Sequence, residues 1–240
     1  MKLNEQVAIL TSRICLVPYS AHHVPTYHEW MQDTSLQQAT ASEPLTLAQE
    51  YSMQKSWRED ADKLTFIACL PPDGLLRNDD GRLELAGGKA DVDGDQKMVG
   101  DVNLFIFESE EDGECDLCVG EVEIMVARKD MHGQGIGTTI LRTFLWYLFV
   151  HLDEIISEYS KSSRSTKRAM KYLRVKIDAG NDKSIKLFEK AGFRKMSESP
   201  NFFNELELRY NVPSIRASQK IAQNLGIDEP KVALYHLSSS

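Results

Sequence analysis

The chain has 240 residues, 42% of them hydrophobic and 27% charged, with a formal net charge of −8. That length suits one large domain, or one domain with trimmings. The acidic balance argues against a general nucleic-acid binder and suits a site that attracts cationic amines. No apolar run approaches the roughly 18–20 residues of a membrane span. The first residues lack a secretory signal core, so the expectation is a cytoplasmic, or also nuclear, protein with no membrane partner.

Along the chain, Arg13 to Pro18 reads as a first strand. His22–Met31 and Thr46–Trp57 read as helices, the second opened by a capping box of Thr46 and Gln49. Leu64–Leu70 is a strand. Pro71–Gln96 is rich in Asp and Gly and poor in apolar residues, which predicts a disordered surface insertion. Lys97–Phe107 and Val119–Ala127 read as strands joined by an acidic turn. The spacing of Ile140, Leu141, Phe144, Leu145, Leu148 and Leu152 predicts a buried helix face over 138–152. Ser157–Lys171 is a solvated insertion or a basic contact loop. Tyr172–Ala179 and Phe202–Val212 read as strands. Residues 213–240 read as a tail with at most one helix, near 214–225. Cys15 and Cys69 sit in apolar runs as reduced core thiols. Cys115 and Cys118 make a lone C-x-x-C without the second pair a zinc site needs, and the histidines are scattered, so no metal is expected. The element order predicts an α/β fold, a mixed central sheet with helices on both faces.

Two segments carry chemistry. Between the 119–127 strand and the following helix lies His132-Gly133-Gln134-Gly135-Ile136-Gly137, then Thr138. Glycines let backbone approach an anion closely. Successive N–H groups and a helix N-terminus then favour a phosphate. A dinucleotide fingerprint needs a third glycine where Thr138 stands, and the chain has no Gly-Lys-Ser/Thr of a P-loop. The second segment is a short helix marked at both ends. Asn181 is its N-cap, Asp182 meets the positive dipole end, and Gly192 is a left-handed stop followed by Phe193.

This pair of segments resembles the two signatures of the GCN5-related N-acetyltransferases, the GNAT family: a coenzyme A loop, and N-x-x-S-x-x-L-Tyr/Phe-x-K-x-G-F. His132 stands where that family usually has Arg or Gln. Val99-Gly100-Asp101-Val102-Asn103-Leu104-Phe105 and the N-terminal half, including Ala41-Ser42-Glu43-Pro44-Leu45-Thr46-Leu47, look like a eukaryotic subgroup associated with acetylating tubulin. The resemblance covers roughly residues 1–70 and 97–212. It implies the acyl-CoA acyltransferase fold, with strands that splay around the cofactor, and acetyl-CoA as co-substrate. Main-chain groups of Met125, Val126 and Ala127 would pair with the pantetheine arm. His132, Gly133, Gln134, Gly135, Ile136, Gly137 and Thr138 would hold the pyrophosphate, and Asn181 and Ser184 would flank the arm. The implied reaction is acetyl transfer to an amine of a protein, an N-terminal α-amino group first among them, with tubulin or microtubules as candidate partner. A small-molecule amine acetyltransferase and a silent acyl-CoA-binding scaffold remain alternatives.

Acetyl transfer needs a neutral amine, an N–H donor for the oxyanion, and a proton or dipole for the thiolate. Glu121 and Glu123 lie two apart, so they share one strand face, opposite apolar Val122, Ile124 and Val126. Glu123, nearer the splay, is the first candidate for a base acting through water. Glu121 is the second, and the alternative is a pair of solvated carboxylates. Phe188 occupies the position where many family members carry a tyrosine acid. Tyr172, Tyr210 or water remain to supply that proton.

Overall fold

The computed structural model describes residues 1–85, 89–109, 116–162, 169–213 and 218–236. The strands are β1 (Val7–Leu10), β2 (Cys15–Pro18), β3 (Lys63–Cys69), β4 (Leu75–Arg77), β5 (Leu83–Leu85), β6 (Met98–Glu108), β7 (Leu117–Val126), β8 (Ala169–Asp178), β9 (Arg194–Lys195), β10 (Glu205–Asn211) and β11 (Lys231–Leu234). They form one sheet in the order β4-β5-β11-β1-β2-β3-β6-β7-β8-β10-β9. Most neighbours are antiparallel, while β7 runs parallel to β8 and β11 parallel to β5. The helices are α1 (Val24–Trp30), α2 (Thr34–Ala39), α3 (Leu47–Glu59), α4 (Lys89–Val92), α5 (Ile136–Val150), α6 (Leu152–Ser162), α7 (Asp182–Lys190) and α8 (Ser218–Leu225). No described helix is long and apolar enough to cross a membrane.

The period-2 alternation of the central strands separates two cores. On one face Val122, Leu104, Phe66 and Leu173 pack under α5, whose Phe144 and Tyr147 rings meet Phe66 edge-on. On the other, Val17, Ile67, Met98, Met125 and Ala127 pack with Tyr19, Tyr27 and Met31 at the α1 end of the molecule. Thr46 and Gln49 close the expected capping box at α3. The sheet with helices on both faces is the expected architecture.

Three expectations about the periphery are corrected. Pro71–Gln96 is not a structureless insertion among its described residues: β4 and β5 form a hairpin, and β5 joins β11 at Glu84 and Leu234. Its anchors are both apolar and polar: Leu75, Leu83 and Leu85 pack on the core of that face, and Val92 is buried. Asp93 is buried, and its Oδ2 accepts from His23 Nε2 at 3.1 Å and from the Tyr235 hydroxyl at 2.5 Å. The segment after Pro213 is not a tail, because α8 packs on α5 and β11 pairs with β1 from Val7–Leu234 to Leu10–Lys231. The basic stretch 157–171 begins as the last turns of α6 and ends in β8; residues 163–168 and the acidic turn with Cys115 lie outside the described residues.

Candidate active site

β7 and β8 pair only from Leu117–Ala169 to Glu121–Arg174. Beyond that point β7 continues to Val126 and β8 to Asp178 without pairing, so a gap opens between them. On its other side β7 stays bonded to β6 through Gly100–Val126. Backbone direction alternates along a strand. Ala127 N–H donates to Val99 O at 2.9 Å, and a Cβ on Gly100 would lie 1.9 Å from Met125 O. Met125 and Ala127 therefore spend their peptide groups on β6, a correction to the expectation that all three residues face the cofactor. Val126 turns its own toward the gap, as Ile124 does. Its carbonyl meets His132 Nε2 at 2.8 Å, so His132 braces the strand end rather than reaching outward.

A single 3-10 turn, Lys129–Met131, leads from β7 into the glycine loop. Gly133 and Gly135 have φ of +75° and +78°, and Gly135 is the N-cap of α5. These left-handed positions explain the glycines, since a Cβ there is strained. Gly137 lies in the first turn of α5. A Cβ there would lie 3.5 Å from Leu187 Cδ2 and 3.6 Å from Val126 Cγ2. The loop, the end of β7 and α7 thus meet at one point, as the two sequence segments implied. Gln134 is tied into the loop, its Nε2 donating to Asp130 O, while its own carbonyl accepts from Arg13 Nη2, both at 2.6 Å. Arg13, in the β1–β2 turn, is a cation beside the loop that sequence reasoning passed over. Nothing local marks it, because 121 residues separate it from its partner.

At α7, Asn181 Oδ1 accepts from Ser184 N–H at 3.1 Å, the expected cap. That bond fixes the amide, so Asn181 Nδ2 is the donor left for a ligand. Positive-φ backbone, the α5 N-terminus, Arg13 and this amide form a donor set that fits the phosphates and the amide-bearing arm of coenzyme A. Ile136 is buried in the core, Thr138 and Ser184 are half-buried at the helix starts, and neither Ile136 nor Ser184 presents a charge.

Glu121 and Glu123 share the face opposite α5, but their surroundings differ. Arg174 Nε donates to Glu121 Oε2 at 2.6 Å, and Lys176 Nζ lies 4.0 Å away. That ion pair engages Glu121 Oε2 with a cation, whereas Glu123 has none among the described residues, so the two candidates are not equivalent. Glu123 borders the open cleft and is solvent-accessible. The protein around it, then the Glu121 and Asp101 carboxylates, push its carboxyl up to about 7. Asp101, buried on β6, is raised to about 6 by burial, against hydrogen bonds from Asn103 and Tyr27. Neither expected tyrosine reaches the gap. Tyr172 lies in the still-paired stretch with Arg209 4.0 Å over its ring, and Tyr210 packs on Phe149 and Phe193. Phe188 is buried against Phe193.

One cluster corrects the view that the histidines are scattered. His22, His23 and Asp93 bring three ligand-type atoms within 4.8 Å of one another. His23 Nδ1 already accepts from Ser20 N–H at 3.0 Å, so its Nε2 carries the proton and donates to Asp93. That tautomer serves as a joint between the start of α1, the 71–96 segment and the chain end.

Residues 13–194 match the acetyltransferase (GNAT) domain model. The human alpha/beta-tubulin-N-acetyltransferase 9 is 36% identical over 230 residues, 95% of each chain, and an N-acetyltransferase 9-like protein of Nematostella vectensis is 39% identical over 88% of this chain and 89% of its own. A solved ribosomal L7/L12 alpha-N-protein acetyltransferase, RimL, in complex with coenzyme A shares the fold with a TM-score of 0.55 at 11% identity, over 85% of this chain and 98% of its own. The β7–β8 gap and glycine loop lie inside the matched domain, and the chain accordingly belongs to the GNAT family as an acetyl-CoA-dependent N-acetyltransferase.

Proposed function

We propose that this chain acetylates the N-terminal α-amino group of a protein, with tubulin as the acceptor. Relatives named tubulin N-acetyltransferase support the protein class. The observation that carries the choice of amine is Glu123, a carboxyl near 7 on the cleft wall beside the end of β7. An α-ammonium has an ordinary pKa of about 7.7–8.0 and a lysine about 10.4. Glu123 can take a proton from the first with little penalty. From the second, whose ordinary value lies well above that of Glu123, the transfer is uphill.

In this reading the glycine loop, Arg13 and Asn181 hold acetyl-CoA with its thioester at Val126. Glu123, through a water, receives the amine proton as the nitrogen bonds the acetyl carbon. The Val126 N–H faces the oxyanion, and the C–S bond then breaks to release the thiolate, which solvent protonates. The test is mass-spectrometric acetylation of tubulin-derived N-terminal peptides, the same peptides with a blocked α-amine and an internal lysine, and spermidine-like polyamines. Transfer confined to the free α-amine is expected. Transfer to lysine or polyamine alone would refute the reading. Glu123→Gln should slow transfer about 10²–10⁴-fold, and Glu121→Gln much less.

A further inference from the structure

Thr65 on β3, Asn103 on β6 and Glu123 on β7 are direct cross-strand neighbours on one face of the sheet. Thr65 and Asn103 are buried. Asn103 Nδ2 donates to Asp101 Oδ2 at 2.8 Å, and the Tyr27 hydroxyl donates to the same oxygen at 3.3 Å. The carboxylate only accepts, so this bond dictates which way the amide points. Asn103 Oδ1 is thereby aimed the other way, buried at 3% residue exposure and without a hydrogen-bond partner. A buried carbonyl left unpaired is costly and uncommon. Directly opposed residues have Cβ atoms about 4.5–5.5 Å apart, so a glutamate and an asparagine at these positions can meet or share a water.

A carbonyl oxygen can bond to a carboxyl group only when that carboxyl carries a proton. We propose that Asn103, clamped by Asp101 and Tyr27, is a positioning residue that accepts a hydrogen bond from protonated Glu123 and so holds the base after it has taken the amine proton. The inference rests on the proposed role of Glu123. In the step concerned, the amine N–H bond breaks as the N–C bond forms and its electron pair stays on nitrogen. The proton passes to a Glu123 oxygen, the new O–H donates to Asn103 Oδ1, and the proton later leaves to solvent through the open cleft. The Thr65 hydroxyl is likewise buried without a hydrogen-bond partner, and the asparagine oxygen has two lone pairs, so a bond from Thr65 would still leave one for Glu123.

The charged and titratable groups around Glu123 are Glu121 on its own strand, with Arg174 and Lys176 of β8 upon it; Asp101 on β6; Tyr27 on α1; and, behind Tyr27, the Glu50–His28 pair. Asn103→Leu leaves these side chains in place but also removes the amide bond to Asp101 Oδ2, which lifts the Asp101 carboxyl and weakens its push on Glu123. The experiment is a carbon-13 NMR titration of carboxyl-labelled glutamates, with the Glu123 signal assigned by its loss in Glu123→Gln. Asn103→Leu should lower the Glu123 midpoint by roughly 0.5–1 pH unit, the size of one net hydrogen bond. The acid limb of kcat/KM against pH should move by the same amount and in the same direction. Asn103→Ala repeats the test without adding volume. The titration is also repeated in an Asp101→Asn background, where Asn103→Leu must still lower the Glu123 midpoint. An unmoved midpoint in either variant, folded by circular dichroism and with unchanged coenzyme A affinity, overturns the pairing. A midpoint that moves while the activity profile stays fixed supports the pairing and removes Glu123 from the chemistry, so the two failures are distinguishable.

Discussion

Glu123→Gln should stabilise the protein at alkaline pH and not at acid pH. The folded protein raises this carboxyl from 4.5 to about 7. The folded state therefore holds the proton more tightly than the unfolded chain, and between those values it binds more protons. Stability contributed by the group is full below about 4.5 and is lost as pH rises through about 7. If the whole rise acted on an unscreened site, about 3.4 kcal/mol would be lost, at 1.36 kcal/mol per pH unit. Glu123 is solvent-accessible, so screening reduces this to on the order of 1 kcal/mol. Glutamine is neutral throughout and escapes the penalty. Urea denaturation of both proteins at pH 5 and pH 8 measures it. The variant should gain on the order of 1 kcal/mol relative to wild type between the two, from the same linkage. An equal difference at both pH values, or a loss at pH 8, would refute the claim that the fold holds this carboxyl in its neutral form.

Gly135→Asp places a β-carbon at φ +78° and a carboxylate within reach of Arg13, whose Nη1 would lie 3.4 Å from that carbon. Calorimetric affinity for coenzyme A should fall about tenfold or more, and a folded variant that binds normally would exclude the loop as the phosphate site. Gly100→Ala would put its Cβ 1.9 Å from the Met125 carbonyl oxygen. Backbone must move, so thermal unfolding should show a loss on the order of 3 kcal/mol, and an unchanged melting temperature would contradict the β6–β7 register. Ending the chain after Val212 removes α8 and β11, which cover α5 and pair with β1. It should lower the melting temperature by many degrees, whereas a true tail would be lost without effect.

What sequence revealed and what it hid divide along contact range. Gly133, Gly135 and Gly192 were legible because left-handed backbone, with φ of +75°, +78° and +102°, selects glycine locally. The Asn181 cap and the Thr46–Gln49 box were legible because each bond closes within three residues. The shared face of Glu121 and Glu123 followed from strand alternation. Their unequal chemistry did not, because it depends on the parallel register that sets Arg174 opposite Glu121, 53 residues away. Arg13 was hidden for the same reason. The 71–96 segment misled because its few apolar residues, Leu75, Leu83, Leu85 and Val92, are diluted among Asp and Gly, and its buried carboxylate is bonded by His23 and Tyr235, partners distant in sequence. At four residues, β11 is too short to show a period.

The Arg174–Glu121 pair also bears on how two carboxylates can occupy adjacent outward positions of one central strand. An unpaired Glu121 charge would add its full repulsion to the burial already acting on Glu123 and push it further above 7, the direction in which Glu121 already acts. A carboxyl protonated at neutral pH cannot accept a proton from an amine. By pairing with Glu121 where the strands still pair, Arg174 offsets part of that repulsion and leaves Glu123, one step into the gap, able to titrate near neutrality. Arg13 and the helix N-terminus that suit phosphates lie by the α5 face of β7, and the carboxylates lie on the opposite face. Val126, whose peptide faces the gap between them, is where an anionic co-substrate and a cationic amine can meet without either crossing the other's field.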